Sequence, residues 1–406
     1  MVLISRFAAG NRLATIVAIA SSFFLMLLLA AKPASAQNYQ VIVYFSGGSG
    51  GIAPGAATVD RFGNVYAPTA YGGFTNNLFC MQQGGCGTVW KFYTHGSSWL
   101  GDELYRFTGE GDGFGPTTAV AVAQSGVVYG GLFGNNNGAV YQLRPSATRA
   151  SSAIAPWNDT TIFSGSRPTG YLAVDAGGNV YGTSVTSTSN GMVFELSPTQ
   201  GGGYMVTTLY TFQGGADGAS PNHGVLLDPV GNLYGTTSEG GSFNCGTVFE
   251  LSNNGSGWTK TTLYDFQGGI QGCQPTGPLT RDSAGNLYGG NSGSTSTVYE
   301  LSPQNGGWTF SVLQSFQFGS PIGSVAVDSA GNIYGTTALN IFKLMPEGGT
   351  WTYSSVHDFG CNGIDGCNPE GVTIDSNGNL FGATETGGVT NMSCESGCGT
   401  IWEITP

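Results

Sequence analysis

A short motif that recurs along the chain constrains its fold more than any other feature of the sequence. The motif reads Asp-Pro-Val-Gly-Asn-Leu-Tyr-Gly-Thr-Thr at residues 228–237 and returns in closely similar form at residues 328–337. Weaker copies begin at Asp60, Asp175, Asp282 and Asp375, and a degenerate copy spans residues 122–129. A proline recurs in step with the motif, at Pro54, Pro116, Pro168, Pro221, Pro275, Pro321 and Pro369. The chain therefore repeats one unit of roughly fifty residues, a period typical of propellers and solenoids.

Each unit contains four segments with the composition of β-strands. A short apolar run, such as Val225–Leu227, precedes the Asp-x-x-Gly-Asn segment, whose side chains favour a tight turn. Leu-Tyr-Gly then predicts a returning strand, Val-Phe-Glu-Leu (248–251) predicts a third, and Leu-Tyr-x-Phe (263–266) predicts a fourth. Because four-stranded antiparallel units repeated at this period are typical of propeller blades, the sequence predicts an all-β, seven-bladed β-propeller.

The two ends of the chain are expected to complete one blade together. The last unit reaches its third strand at residues 400–404 and ends at Pro406 without a fourth. Residues 40–45 end in Tyr-Phe followed by Gly-Gly, as the fourth strands of other units do. The N-terminal strand is therefore predicted to fill the open edge of the last blade and to close the ring.

The first 36 residues have the features of a signal peptide. Arg6 and Arg12 give a basic start, residues 13–31 form an uncharged apolar run, and Ala34-Ser35-Ala36 offers a small-x-small cleavage site. The mature chain is expected to begin at Gln37 and to form one propeller domain over residues 37–406, with blades that begin near the recurring prolines. The alternative is an uncleaved membrane anchor, since the apolar run approaches the length of a membrane span.

Composition argues against several classes of partner. The chain has 24 Asp and Glu against 12 Lys and Arg, and three of the basic residues lie in the leader. Nucleic-acid binding needs clustered basic residues, so it is not expected. We expect a monomer that is secreted or held at the cell surface, with no membrane span in the mature chain.

The eight cysteines are predicted to form disulfides. All follow the leader, and an even number in an exported chain favours disulfides over metal ligands, with zinc as the alternative. Proximity in sequence pairs six of them, and two are left for each other. The expected pairs are Cys80–Cys86, Cys361–Cys367, Cys394–Cys398 and Cys245–Cys273.

The repeat resembles a known family. Asp-x-x-Gly-Asn-Leu-Tyr-Gly-Thr-Thr, followed by Gly-Gly and then by Cys-Gly-Thr-Val-Phe-Glu-Leu, is similar to the GloVer tandem repeat of bacterial exported proteins. The similarity extends over nearly all of the mature chain. It implies export and a propeller-like fold, and it implies no particular activity.

A function is expected where the blades differ, on the loops at one end of the central channel. The aspartates and glutamates that recur in most blades are interpreted as structural for that reason. His223, Glu370 and Asp217 depart from the repeat and are the catalytic candidates, with His223 at a position occupied by glycine in other blades. Four aromatic residues near loops are the candidates for stacking on a ligand: Tyr71, Phe74, Phe114 and Phe243.

Two functions of different classes follow from these residues. The first is a binding or scaffold protein that recognises a carbohydrate, a peptide or a cell-surface partner through the loop face. The second is an exported lyase or hydrolase that uses carboxylates at the channel mouth together with His223. No cofactor is expected, although calcium could bind in an acidic channel. A deep pocket with convergent carboxylates and His223 would favour the enzyme, and a flat aromatic face would favour binding.

Overall fold

The structure, a computed structural model, describes residues 37–406 except 74–76, 117, 135–137, 146–156, 187, 305, 318–322, 362 and 364. Tyr39–Thr405 is one compact unit, and its described strands form seven antiparallel sheets. The predicted seven-bladed propeller is confirmed. Over the described part of the chain, no helix has both the length and the apolar character needed to span a membrane. Pro321 and the leader lie outside the described residues.

The strands of each blade follow one another in chain order from the channel outwards. In the first two blades they are β2 Ile52–Pro54, β3 Thr58–Val59, β4 Val65–Tyr71, β5 Thr88–His95 and β6 Ser98–Arg106, then β7 Phe114–Pro116, β8 Ala121–Val122, β9 Val128–Gly134, β10 Ala139–Pro145 and β11 Trp157–Ser164. The third and fourth blades contain β12 Arg167–Val174, β13 Val180–Val185, β14 Met192–Pro198, β15 Tyr204–Thr211, β16 Val225–Leu227, β17 Leu233–Thr237, β18 Thr247–Asn253 and β19 Trp258–Asp265. The fifth and sixth contain β20 Cys273–Arg281, β21 Leu287–Ser292, β22 Thr295–Gln304, β23 Gly307–Gln317, β24 Val325–Val327, β25 Ile333–Thr336, β26 Asn340–Glu347 and β27 Thr350–Asp358.

The seventh blade combines both ends of the chain. Its strands are β28 Cys367–Pro369, β29 Thr373–Ile374, β30 Leu380–Thr386 and β31 Thr400–Thr405, and β1 Asn38–Tyr44 pairs with the outer edge of β31. The amide of Phe45 continues this pairing by donating to the Gly399 carbonyl at 3.1 Å. The prediction that the N-terminal strand closes the ring is therefore confirmed.

The hydrophobic core lies between neighbouring blades rather than at the centre of the ring. Between the third and fourth blades, Val193 and Phe212 pack with Val225 and Phe249, and all four are buried. The Phe249 ring lies over Gly235, where an added Cβ would come within 2.5 Å of it. The Gly in the Leu-Tyr-Gly motif is thus required for the third-strand aromatic ring to lie flat on the blade.

Recurring carboxylates hold most of the blades together, as their repetition predicts. In the fourth blade, Asp228 accepts hydrogen bonds from the Val230 and Asn232 amides, which fixes the turn before β17. Tyr234 donates to Asp228 at 3.4 Å and to Glu250 at 3.1 Å. The mid-strand glutamate therefore has a structural partner, the tyrosine of the neighbouring strand, which satisfies its half-buried charge.

All four disulfides lie in loops at one end of the channel. The structure pairs the cysteines as the sequence predicts: Cys80–Cys86, Cys245–Cys273, Cys361–Cys367 and Cys394–Cys398. Each involves a loop that follows the second or the fourth strand of a blade. Cys245–Cys273 joins the fourth blade to the fifth, and the other three stiffen single loops. We call this end of the ring the disulfide face.

Candidate functional site

A cavity of about 1680 Å³ opens at the centre of the disulfide face. Every blade contributes to its lining, mainly through the residues that follow the recurring proline at the start of the first strand. These positions differ from blade to blade, with Tyr171 in the third, His223 in the fourth, Ser324 in the sixth and Glu370 in the seventh. The mouth of the channel is therefore where the repeat changes, as expected from the sequence. We call this space the channel-mouth cavity.

Tyr171 reaches across the channel to the opposite side of the ring. Its hydroxyl lies near Ser324 and in the electrostatic field of Glu370. Burial raises the pKa of Tyr171 to about 12, Ser324 opposes this shift, and the Glu370 charge adds to it. Ser324 is itself fixed, because its Oγ accepts from the Val372 amide at 3.0 Å. Tyr171 is therefore a neutral group in the lining of the cavity.

His223 presents a neutral imidazole in the wall of the cavity. Burial lowers its pKa to about 4, and its Nδ1 has no hydrogen-bond partner among the described residues. The main chain around it is well fixed: Asn222 donates to Ser238 Oγ at 2.8 Å, and the His223 carbonyl accepts from the Tyr171 amide at 3.4 Å. The half-buried side chain lines the cavity, whereas this nitrogen is closed off from solvent.

Glu370 supplies the carboxylate of the cavity. Its own amide is tied to the Ala383 carbonyl at 3.0 Å, which fixes the backbone beneath the side chain. Burial, and in second place the charge of Glu385, raises the pKa of Glu370 above its ordinary value. The side chain lies on the seventh blade, across the channel from Tyr171 on the third. The structure thus brings two of the predicted catalytic candidates, His223 and Glu370, to one cavity.

Aromatic rings line the side of the cavity formed by the second blade. Phe114, one of the predicted stacking residues, lies in the lining, and so does Phe133, which is half exposed. The guanidinium of Arg167 lies 4.3 Å from the centre of the Phe133 ring. Among the described residues that line the cavity, Arg167 is the only Lys or Arg and Glu370 the only Asp or Glu. The rest of the wall consists mainly of hydroxyl, amide, glycine and aromatic groups.

The other predicted aromatic residues do not line this cavity. Tyr71 ends β4 and pairs with Ile52, with its side chain exposed. Phe243 is exposed in the loop of the fourth blade that carries Cys245. Phe74 lies outside the described residues.

Asp217 belongs to a recurring structural contact rather than to the cavity lining. Tyr210 donates to its Oδ1 at 2.8 Å and the Gln213 amide to its Oδ2 at 2.8 Å, and Lys260 of the next blade lies 3.0 Å from Oδ1. Burial opposes ionisation, but these three hydrogen bonds hold the pKa of Asp217 below its usual value. The structure thus places Asp217 in this contact, and it is not among the described residues that line the cavity.

The same contact occurs at other blade boundaries. Tyr105 donates to Asp112 at 3.0 Å and Tyr264 to Gln271 at 2.8 Å, in each case seven residues further along the chain. We call this pairing of a fourth-strand residue with the following loop the loop clamp. Sequence reasoning missed it because the tyrosine and its partner have to be read together to be recognised as a repeat.

Sequence reasoning also missed Tyr171, Ser324 and Arg167. In several blades a glycine stands two residues after the recurring proline, where the fourth blade has His223. Tyr171 and Ser324 each directly follow this glycine in their own blade. An alignment of the seven prolines would have shown this position to vary with the others. Among the described residues, no group of three or more His, Cys, Asp or Glu side chains converges as metal ligands would. Calcium therefore stays an expectation from the acidic composition.

A model of one protein family matches residues 131–339, about half of the chain. It is described as the Gloeobacter/Verrucomicrobia repeat. The chain belongs to this family. The resemblance inferred from the repeat motifs is confirmed, and the matched part of the Gloeobacter/Verrucomicrobia repeat protein runs from the second blade to the sixth. No curated protein matches the chain.

Solved structures similar to this Gloeobacter/Verrucomicrobia repeat protein are remote in sequence. Virginiamycin B lyase from Staphylococcus aureus has 13% identity and a TM-score of 0.55, and the alignment covers 91% of this chain and 99% of the lyase. The extracellular domain of a proposed hybrid two-component system from B. thetaiotaomicron has 12% identity and a TM-score of 0.55, over 91% of this chain and 41% of that one. At these identities the similarity supports the propeller fold and nothing further.

Proposed function

We propose that this protein is an exported binding protein that holds a neutral carbohydrate in the channel-mouth cavity. The observation that carries the proposal is the chemistry of the cavity wall, which combines aromatic rings with many uncharged hydrogen-bonding groups. Tyr171, Ser324, Asn222 and Thr276 all line it. Such groups both donate and accept, as sugar hydroxyls do.

The aromatic side of the cavity supports a sugar over a strongly charged ligand. Phe114 and Phe133 offer apolar surface against which the carbon face of a sugar ring can pack. The excess of acidic residues in the chain repels anionic ligands over long distances. With about 1680 Å³, the cavity is larger than the roughly 300–1000 Å³ of ordinary small-molecule sites, which suits an oligosaccharide.

Export is part of the proposal because the disulfides require an oxidising compartment. Four disulfides among the described residues are typical of secreted proteins. The basic, apolar and small-residue segments of residues 1–36 supply the signal. Intact-mass analysis of the extracellular protein is expected to give a chain that starts at Gln37, and retained leader residues would contradict this.

The binding proposal is tested by a glycan array followed by calorimetric titration of the glycans that bind. His223→Gly and Glu370→Gln are expected to weaken binding about tenfold or more, since each removes a polar group from the cavity. Glycine occurs naturally at the His223 position in other blades, so this variant is expected to fold.

Glu347→Gln serves as the control for the loss of a carboxylate, because Glu347 is the last residue of β26 and lies outside the cavity lining. Unchanged affinity in both cavity variants would contradict the proposed site. An array without any glycan signal, together with binding of a peptide to the cavity, would overturn the carbohydrate proposal.

A second candidate function is acid–base catalysis, and the pair His223 and Glu370 favours it. A neutral imidazole can accept a proton and a carboxyl group with a raised pKa can donate one, which are the roles that a lyase or hydrolase needs. Glu385 lies close enough to Glu370 to affect its pKa, although it is not among the residues that line the cavity. Turnover of a bound glycan that disappears in both His223→Gly and Glu370→Gln, while binding persists, would favour the enzyme.

A further inference from the structure

A second, smaller cavity opens between the fifth and sixth blades. It measures about 410 Å³ and is lined by Gln314, Ser315 and Phe316 of β23, and by Asn340 and Tyr353 of β26 and β27. Leu339 and Thr337 complete it on the side of the channel mouth. We call this space the side groove.

The side groove lies where other blade boundaries have the loop clamp. In a blade with the clamp, the tyrosine pairs with the valine of the third strand, as Tyr264 does with Val248. In the fifth blade the residue that pairs with this valine, Val298, is Gln314. Gln314 donates within its own strand, to the Ser315 carbonyl at 3.0 Å. Gln314 is therefore directed along its own strand, whereas the clamp tyrosines donate to the following loop.

The residue on the facing blade has changed as well. At the boundary between the third and fourth blades, Lys260 binds Asp217. Lys260 pairs with Leu251 of the neighbouring strand. In the sixth blade the residue at the same position, paired with Leu344, is Tyr353. Tyr353 is 38% exposed and forms an edge contact with Phe316, with ring centres 5.9 Å apart. Its hydroxyl accepts a hydrogen bond from Asn340 at 3.2 Å. The boundary between the fifth and sixth blades therefore presents a partly exposed aromatic ring that contacts Phe316 and Asn340. The boundary between the third and fourth blades has a salt bridge instead.

The side groove adjoins the channel-mouth cavity at Thr337, which lines both. The loop at this point consists only of residues 337–339, whereas the equivalent loop of the first blade spans residues 72–87. Thr337 donates to Asn340 at 2.9 Å, and the Phe359 amide donates to the Leu339 carbonyl at 2.8 Å. These bonds fix the short loop at the end of the sixth blade.

We propose that the side groove is a second subsite for a linear, neutral oligosaccharide whose other end occupies the channel-mouth cavity. This inference rests on the proposed carbohydrate-binding function and adds that the ligand is a chain. Tyr353 and Leu339 supply an exposed apolar surface for one sugar ring, and Asn340 and Gln314 supply hydrogen bonds to its hydroxyls. The described residues that line the groove include no Asp, Glu, Lys, Arg or His, so the groove offers no opposite charge to a charged sugar.

The test measures affinity against chain length. Linear homo-oligosaccharides of glucose, mannose, xylose and N-acetylglucosamine, two to six units long, are titrated into the full mature protein. We expect the affinity of the preferred sugar to rise about tenfold or more from the short to the long members. Tyr353→Ala is expected to remove this gain and to leave the affinity of the shortest bound member unchanged.

Val206→Ala is the matched control, since Val206 is the exposed residue opposite Leu196 at the equivalent position of the third blade. It is expected to retain the gain with length. Short sugars that bind without any gain for longer ones would overturn the second subsite while the proposed function stands. If no member of the panel binds at any length, both proposals fail together. A loss of affinity for all lengths in Tyr353→Ala would also contradict the subsite.

Discussion

At the scale of single residues, one tyrosine hydroxyl explains two recurring carboxylates in several blades. Tyr181 and Tyr288 each contact the aspartate of the turn and the glutamate of the third strand, as Tyr234 does. In the seventh blade Phe381 replaces the tyrosine, and Glu403 instead accepts from the Trp99 indole at 3.0 Å. A glutamate in this position therefore always finds a donor, because an unpaired carboxylate in a half-buried strand is costly.

Tyr234→Phe is expected to lower the free energy of unfolding by about 1–2 kcal/mol, since Glu250 loses its donor while it stays half-buried. The natural control is Tyr334→Phe, because the sixth blade has Lys343 in place of the glutamate, 5.4 Å from the Tyr334 ring. We expect this change to cost about 1 kcal/mol less. Urea denaturation of both variants measures the difference, and equal losses would contradict the role of the tyrosine as a donor to Glu250.

At the scale of elements, the loop clamp of the third blade is tied to the outer strand of the fourth blade. At the third boundary, Lys260 makes the contact by donating to the Asp217 carbonyl at 2.8 Å as well as to its carboxylate. At the boundary between the first and second blades, the residue at the position of Lys260 is Asp159, which pairs with Leu143. Burial, and in second place the charge of Asp112, raises the pKa of Asp159 to about 7. Two carboxylates thus face each other where another boundary has an ion pair.

This difference predicts a specific dependence of stability on pH. The folded protein holds a proton on Asp159 up to about pH 7, whereas the unfolded chain loses it near pH 4, so stability falls as pH rises between these values. Asp159→Asn is expected to remove this part of the fall, and Asp159→Lys to raise the melting temperature at pH 8 by restoring the pair. Melting curves from pH 4 to pH 8 measure both effects. Tyr105 and Tyr141 also lie near Asp159, and both stay neutral in this range because their pKa values are raised. If Asp159→Asn and the wild type lost stability in parallel between pH 4 and pH 7, Asp159 would not be the titrating group.

At the scale of the whole molecule, the N-terminal strand connects the first and sixth blades to the seventh. Tyr39 stacks on His357 of β27 with ring centres 3.7 Å apart, and its hydroxyl donates to the Asp365 carbonyl at 3.0 Å. Gln40 donates to Glu403, which also binds Trp99 of the first blade. The strand is therefore more than an edge cover, because its side chains hold neighbouring blades in place.

A chain that begins at Gly51 is expected to aggregate or to melt far below the chain that begins at Gln37. Loss of β1 leaves the backbone groups of β31 unpaired and removes the contacts of Tyr39 and Gln40. Size-exclusion chromatography and calorimetry measure the outcome. A monomer with an unchanged melting temperature would show that the ring does not depend on this closure.

Most of the fold could be predicted from the sequence, because each blade repeats the same local chemistry. The turn at Asp228 could be predicted because residues next to one another in the sequence form it. A count of strands indicated that the last blade needs a fourth strand besides the one that ends near Ile404. The candidate site was only partly predictable. His223 and Glu370 were found as departures from the repeat, but the contact of Tyr171 with Ser324 depends on the ring bringing blades three and six to opposite sides of one channel.

The pairing of β1 with β31 also sets an order of events in time. Gln40 and Glu403 are in contact although 363 positions separate them along the chain. β1 is therefore the first strand of the propeller to be synthesised but the last to pair, because its partner β31 is the last strand to be synthesised. Contacts this distant in sequence form slowly, since the chain between them has to be ordered first. Assembly of the ring thus ends in a single late step, and until it occurs the seventh blade has an open edge that any other extended strand could join.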